Sequence, residues 1–162
     1  MDMSPNPIPA GFHTVTPFVA LKEAKRTLEF YAKAFDAIRE FEKYQDDGTL
    51  MHATIRLGDS VLMCSDTMTQ TDFSPHNIDD PKIALWMYVS NVDEVYRRAV
   101  AAGALSRQVP MDAFWGDRIA TIQDPSDIVW HIASHKEDVS PEELDARANA
   151  FYQHSSSQVS VF

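Results

Sequence analysis

Residues 115–135, WGDRIATIQDPSDIVWHIASH, constrain the fold of this chain more than any other stretch. Residues 118–123 and 128–134 each alternate in polarity, which is typical of strands with one buried face. The sequence DPSD between them favours a turn, because proline fixes φ at the second turn position and aspartate accepts bonds from nearby amides. We therefore predict a β-hairpin whose returning strand places Trp130 on one face and His131 on the other.

Composition limits the classes of protein to consider. The 162 residues are 44% hydrophobic, as expected for one folded domain or two half-domains that share a core. The longest apolar runs are far too short to cross a membrane, and the N-terminus lacks the features of a secretory signal. The single cysteine, Cys64, fits a reducing cytoplasm. A net charge of −10 without a Lys/Arg cluster argues against nucleic acid. The negative charge favours cationic ligands, although acidity also simply keeps soluble proteins apart.

The order of predicted elements repeats once along the chain. The first half contains a strand, an amphipathic helix and three strands, at residues 13–21, 23–35, 37–44, 50–57 and 60–66. The second half contains the same order, at residues 82–90, 92–102, 105–111, 118–123 and 128–134. These halves form a domain over residues 13–138, with modules at about 13–66 and 82–135.

Segments outside the modules differ from them in composition. Residues 1–12 are proline-rich and are predicted to form a flexible arm, and polar residues 67–81 are predicted to be a linker. Residues 139–162 contain a predicted helix at 141–152, begun by a capping box at Ser140 and Glu143, and a tail.

Three motifs carry a family resemblance: PFVALKEAKRTLEFYAKAF, MHATIRLGDSVLMCSD and WGDRIATIQDPSDIVW. Together with the repeated βαβββ order, they resemble the glyoxalase/bleomycin-resistance, or vicinal oxygen chelate, superfamily, and they look like its PhnB-like branch. The resemblance implies an α+β fold in which two βαβββ modules form a curved, cup-shaped mixed sheet. It also implies a cytoplasmic homodimer with the ligand inside the cup. Relatives usually have Phe-Gly where this chain has Ser126-Asp127, at a turn position with φ > 0.

Metal-using relatives place one ligand on each of four strands, and the resemblance carries these positions to Thr16, Met63, Ala84 and His131. A divalent ion requires several nitrogen or oxygen donors, and His131 is the one competent donor in this set. We therefore expect no metal and no cofactor. A rearranged site that uses His52 as a second nitrogen is the alternative.

Under this fold, the cup contains aromatic and polar side chains suited to a small-molecule site. The predicted ligand-binding residues are Thr16, Phe18, His52, Arg56, Met63, Ser65, Trp86, Tyr88 and His131. The same aromatic residues can instead fill a core or a dimer contact. Our primary hypothesis is a metal-independent protein that binds a cationic or aromatic small molecule.

The alternative hypothesis is an enzyme of the same superfamily. It is either a metal-assisted isomerase, lyase or dioxygenase, or a metal-free acid–base catalyst that uses His52 and His131. A structural dimer with a filled cup is the third reading of the sequence.

Overall fold

A computed structural model describes residues 8–66 and 84–158, with side chains through residue 151. The first module contains β1 (Phe18–Leu21), α1 (Ala24–Phe35), β2 (Ile38–Tyr44), β3 (Leu50–Leu57) and β4 (Ser60–Asp66). The second contains β5 (Leu85–Tyr88), α2 (Val92–Ala101), β6 (Leu105–Asp112), β7 (Asp117–Gln123) and β8 (Val129–His135), and α3 (Pro141–Gln158) follows it. The predicted linker, residues 67–81, and residues 1–7 of the predicted arm lie outside the described residues.

The two modules have the same sheet topology. The strand orders are β1-β4-β3-β2 and β5-β8-β7-β6, so each module forms its own four-stranded mixed sheet. The first strand of each module pairs in parallel with the last, and the other pairs are antiparallel. The predicted α+β fold of two βαβββ modules is confirmed.

One hydrophobic core joins α1, α2 and one face of each sheet. The predicted apolar face of α1 is buried, including Leu28, Tyr31 and Phe35. Tyr31 and Phe35 of the first module contact the Trp130 ring of the second, with ring centroids 5.5 and 4.9 Å apart. We call the sheet faces that pack on the helices the core faces and the opposite ones the open faces.

The predicted β7–β8 hairpin also ties the two modules together. Its buried Asp124 accepts bonds from the amides of Ser126 and Ile128, at 2.8 and 3.0 Å. The same carboxylate accepts from Tyr31 Oη at 2.6 Å and from Trp130 Nε1 at 3.0 Å. Asp127 has φ 68°, so aspartate adopts the left-handed conformation predicted for this turn position. The turn residues thus hold the hairpin against α1.

The first strand is shorter than the predicted 13–21, and Pro17 explains the difference. Met63 N donates to Pro17 O at 3.0 Å. Odd-numbered residues of β4 therefore direct their N–H and C=O groups towards β1. The next ladder bond would run from the nitrogen of residue 17 to Val61 O. Proline has no hydrogen to donate, and β1 therefore begins at Phe18.

One predicted apolar face is wrong at its end. The alternation of residues 50–57 places Met51, Ala53, Ile55 and Leu57 on one apolar face, which predicts that Met51 is buried. The structure shows Met51 exposed and Leu50 buried in its place. The register between β2 and β3 shifts at Lys43/Tyr44. Such a bulge inserts an extra residue and reverses the alternation beyond it.

The C-terminal helix α3 is longer than the predicted 141–152. Ser140 caps it as expected, since its Oγ accepts from Glu143 N at 3.2 Å. The Glu143 carboxylate bonds Arg147 at 2.8 Å rather than closing a capping box. Within the described parts of the chain, no helix is both long and apolar enough to span a membrane.

Candidate functional site

The open face of the first sheet carries one group of predicted site residues. Phe18, Met63 and Thr54 are successive cross-strand partners on β1, β4 and β3. The His52 ring lies 6.1 Å from both Phe18 and Phe41, and its Nε2 is 3.2 Å from Thr54 Oγ1. These residues form a mixed aromatic and polar patch within the first module.

The other predicted residues of the first module make local contacts. The Arg56 guanidinium pairs with Glu40 at 2.6 and 3.2 Å, so its donors are largely committed to a neighbouring strand. Ser65 is buried on β4. Thr16 precedes β1, and its hydroxyl donates to His13 O at 3.3 Å.

The open face of the second sheet carries the other group. Trp86, His131 and Thr121 are cross-strand partners on β5, β8 and β7. His131 Nδ1 lies 3.0 Å from Thr121 Oγ1, and the rings of His131 and Trp86 are 5.3 Å apart. Trp86 also lies 6.1 Å from Tyr88. His131 and His52 therefore lie on different sheets with different partners, and their joint acid–base role stays a prediction.

A metal fits poorly at the four family positions because of their chemistry. Thr16 uses its hydroxyl to bond His13, Met63 offers a thioether, and Ala84 offers no side-chain donor. His131 thus supplies the one imidazole. Across residues 8–66 and 84–151, no group of three or more His, Cys, Asp or Glu side chains is arranged to hold a metal ion.

A groove of about 930 Å³ lies between the modules. One wall is formed by residues 85–91, that is, by β5 and the chain after it. The opposite wall is formed by residues 57–62 at the β3–β4 turn and by His13, Val15 and Pro17. The ends of the helices close it, through Phe35, Asp36, Glu94, Val95 and Arg98.

Of the predicted ligand-binding residues, Trp86 and Tyr88 line this groove. Their side chains are 46% and 61% exposed, which is unusual for large aromatic rings unless they meet a ligand or partner. The remaining predicted residues lie on the open faces or, for Thr16, just before β1. The structure therefore divides the predicted cup between the open faces and a groove at the module boundary.

A buried carboxylate that the sequence prediction missed anchors Tyr88. Asp117 is 3% exposed and accepts from Tyr88 Oη at 2.9 Å and Trp115 Nε1 at 3.0 Å. It also pairs with His135 Nδ1 at 2.9 Å, while His135 Nε2 lies 2.9 Å from Asp138. Strand alternation could have predicted that His135 lies on the same face as His131, because residues 131, 133 and 135 share one face of the strand.

The ionisation of this network follows from its contacts. Burial raises the pKa of Asp117, but hydrogen bonds from His135, Tyr88 and Trp115 outweigh burial and place the pKa below its usual value. Bonds to Asp117 and Asp138 raise the pKa of His135. The bond to Asp117 raises the pKa of Tyr88, so the phenol stays protonated and remains a donor. Asp117 thus fixes an aromatic wall of the groove.

The charges at the groove are mainly acidic. Arg98 forms a bidentate pair with Asp36, at 3.1 and 2.7 Å. Asp59 and Glu94 are further carboxylates at its edge. A cation is therefore better suited than an anion to this site.

Comparisons with known proteins agree with this architecture. Paired βαβββ modules define the vicinal oxygen chelate class of folds. The sequence model described as the Glyoxalase/Bleomycin resistance protein/Dioxygenase superfamily matches residues 12–132. The chain belongs to this superfamily.

Individual relatives resemble the chain over most of its length. An uncharacterized protein of Mycobacterium bovis, Mb0911c, is 28% identical over 136 residues, covering 82% of this chain and 90% of that protein. The crystal structure of TioX from Micromonospora sp. ML1 has a TM-score of 0.60 at 22% identity, with 79% and 100% coverage. A PhnB protein from Bacillus cereus, described as a putative 3-demethylubiquinone-9 3-methyltransferase, has a TM-score of 0.60 at 19% identity, with 75% and 99% coverage. At such identities the solved structures show a shared fold.

Proposed function

We propose that this protein binds a cationic, aromatic small molecule in the groove between its modules, without a metal. The observation that carries the proposal is the pair of exposed rings, Trp86 and Tyr88, held 6.1 Å apart at the groove. A volume of about 930 Å³ suits a drug-sized ligand. The family description includes bleomycin resistance proteins, which supports binding of a drug-like small molecule as a function.

The physical basis is stacking combined with charge. Aromatic faces attract cations and flat rings, and the Asp117 bond limits rotation of the Tyr88 ring before a ligand arrives. Asp59 and Glu94 add a negative field near the same rings. A neutral ligand of the same shape would use the stacking but not the field.

A fluorescent aromatic cation, such as ethidium, tests the proposal directly. We expect saturable binding that weakens about 5- to 30-fold in Trp86→Ala, from loss of stacking and cation–π attraction. Phe151→Ala is the matched control, because Phe151 is a 49% exposed aromatic residue on α3, away from the groove lining. Absence of saturable binding, or equal weakening in both variants, would contradict the proposal.

We also propose that the protein is a cytoplasmic homodimer of the PhnB-like branch. Ile38 and Phe41 on β2, and Val109 and Met111 on β6, expose large apolar surfaces that a second copy can cover. Light scattering should then give twice the 18.3 kDa of one chain. A mass of one chain at micromolar concentration would contradict the dimer.

A further inference from the structure

The groove runs along the free edge of a strand. Every residue from 85 to 91 lines it, although neighbouring side chains of a strand point to opposite faces. A surface that meets both faces of a strand must lie at the edge of that strand. In the described part of the chain, β5 is one of the two edge strands of the second sheet.

The pairing of β5 fixes which main-chain groups face the groove. Val89 N donates to Ala133 O at 2.8 Å, so odd-numbered residues of β5 direct their N–H and C=O groups towards β8. The main-chain groups of Trp86 and Tyr88 therefore point the other way, into the groove. Each aromatic residue presents an amide donor and a carbonyl acceptor beside its ring.

The opposite wall includes the part of β4 that extends past the start of β1. Pro17 cannot donate to the carbonyl of Val61, and both residues line the groove. An extended chain placed between these walls meets main-chain groups of β5 on one side and an acceptor on the other. This is the arrangement in which a peptide adds a strand to a sheet.

We propose that the groove takes a short, basic, extended peptide or peptide-like compound, whose amide groups pair with the main chain of Trp86 and Tyr88. Asp59 and Glu94 favour its positive charge, and the two aromatic rings contact its alternate side chains. This inference rests on the proposed function, since it uses the same groove and names the ligand class.

Alternate N-methylation tests the inference. The probes are end-capped tetrapeptides acetyl-Lys-X-Lys-X-amide, with X as Val, Leu or Phe, at up to millimolar concentration. One series carries N-methyl groups on the lysines and the other on the X residues. Because alternate amides of an extended peptide face opposite edges, one series should lose about tenfold or more in affinity and the other should bind nearly as well as the parent.

Two protein variants isolate the main-chain donor. Tyr88→Ala removes the ring and keeps the N–H, whereas Tyr88→Pro removes both, and proline is tolerated where an edge N–H faces outwards. We expect Tyr88→Pro to bind the parent peptides about fivefold more weakly than Tyr88→Ala. Both variants should bind ethidium equally. Circular dichroism and urea unfolding confirm that each variant is folded.

Amide shifts of Trp86 and Tyr88 in ¹⁵N-labelled protein report the contact. Downfield shifts with the parent peptides, and their loss in one methylated series, support the inference. Equal binding of both series overturns it, as does binding of ethidium with no effect of any peptide, which leaves the proposed function standing. If neither ethidium nor any of the peptides binds, the proposed function is overturned as well.

Discussion

The hydroxyl of Tyr31 is the clearest single link between the two modules. It donates to Asp124 at 2.6 Å across the module boundary, and both side chains are buried. Burial, the charge of Asp124 and the bond to it raise the pKa of Tyr31 well above its usual value, so the phenol remains a donor. Tyr31→Phe deletes this bond and leaves the ring in contact with Phe35 and Trp130.

The loss of stability expected in Tyr31→Phe follows from the type of hydrogen bond that is removed. A hydrogen bond to a charged acceptor contributes about 1.5–3 kcal/mol, so Tyr31→Phe should lower the free energy of unfolding by about 2 kcal/mol. For a chain of this size, that change lowers Tm by about 4–8 °C. In a double-mutant cycle with Asp124→Asn, the two effects should be non-additive by about 1–2 kcal/mol.

Urea unfolding at neutral pH, followed by circular dichroism, measures these effects. The matched control is Tyr96→Phe, because Tyr96 Oη bonds Ser106 Oγ at 2.7 Å in an exposed position. It should change the unfolding free energy by about 0.5 kcal/mol or less. If Tyr31→Phe costs no more than Tyr96→Phe, the hairpin does not hold the modules together as described.

Three further predictions concern other parts of the fold. The pKa of His135 is raised in the folded protein, so its protonation stabilises the fold fully below about pH 6.5, and this stabilisation is lost as pH rises through the folded-state pKa. The pKa of Asp117 is lowered, so its ionisation stabilises the fold fully above about pH 3.8, and this stabilisation is lost as pH falls through the folded-state pKa. Urea unfolding from pH 4 to 9 should therefore lose its alkaline decline in His135→Gln, and an unchanged decline would contradict this. Gly116→Ala should destabilise by about 2 kcal/mol more than Gly48→Ala in urea, because both have positive φ but a Cβ at Gly116 meets Glu137 O at 2.3 Å; equal losses would refute the steric argument. Burial raises the pKa of the Cys64 thiol to about 12, so Ellman's reagent should label it only after unfolding, and rapid labelling of native protein would show that β4 opens.

The sequence predicted the helices and the hairpin turn well, because their capping residues and buried faces are set by nearby residues. The helical spacing of α1 identified its buried face. Asparagine directly before residues 92–102 is a favourable N-cap, and Asn91 caps α2 by accepting from Glu94 N at 3.2 Å. The hairpin turn was recognisable because Asp-Pro chemistry is local, and Asp127 adopts the predicted positive φ. These features depend on residues within a few positions of each other.

The failures arise where one strand depends on another. The burial of Leu50 in place of Met51 follows from a bulge against β2, which the alternation of β3 alone does not contain. The late start of β1 at Phe18 follows from the position of Pro17 beside β4, because proline has no N–H to continue the pairing. The groove could not be predicted for the same reason, because its walls come from edges of two different sheets.

Of the candidate site, the aromatic pair was found and its anchor was missed. Trp86 and Tyr88 were among the ligand-binding residues predicted under the fold that the family resemblance implies, and they line the groove. Asp117 was overlooked because a carboxylate next to glycine at a strand end reads as exposed, whereas Trp115, Tyr88 and His135 converge on it. Such convergence is a tertiary property.

The proposed function requires that a ligand occupies the groove against Trp86 and Tyr88. The most direct measurement is amide and indole shift mapping of ¹⁵N-labelled protein during titration with ethidium. We predict saturable shifts at Trp86, Tyr88 and Val95. The Trp130 indole should respond weakly, because Trp130 lines the groove but is only 3% exposed and its Nε1 already bonds Asp124. Shifts confined to the open face around His52 and Phe41, or to α3, would contradict the account.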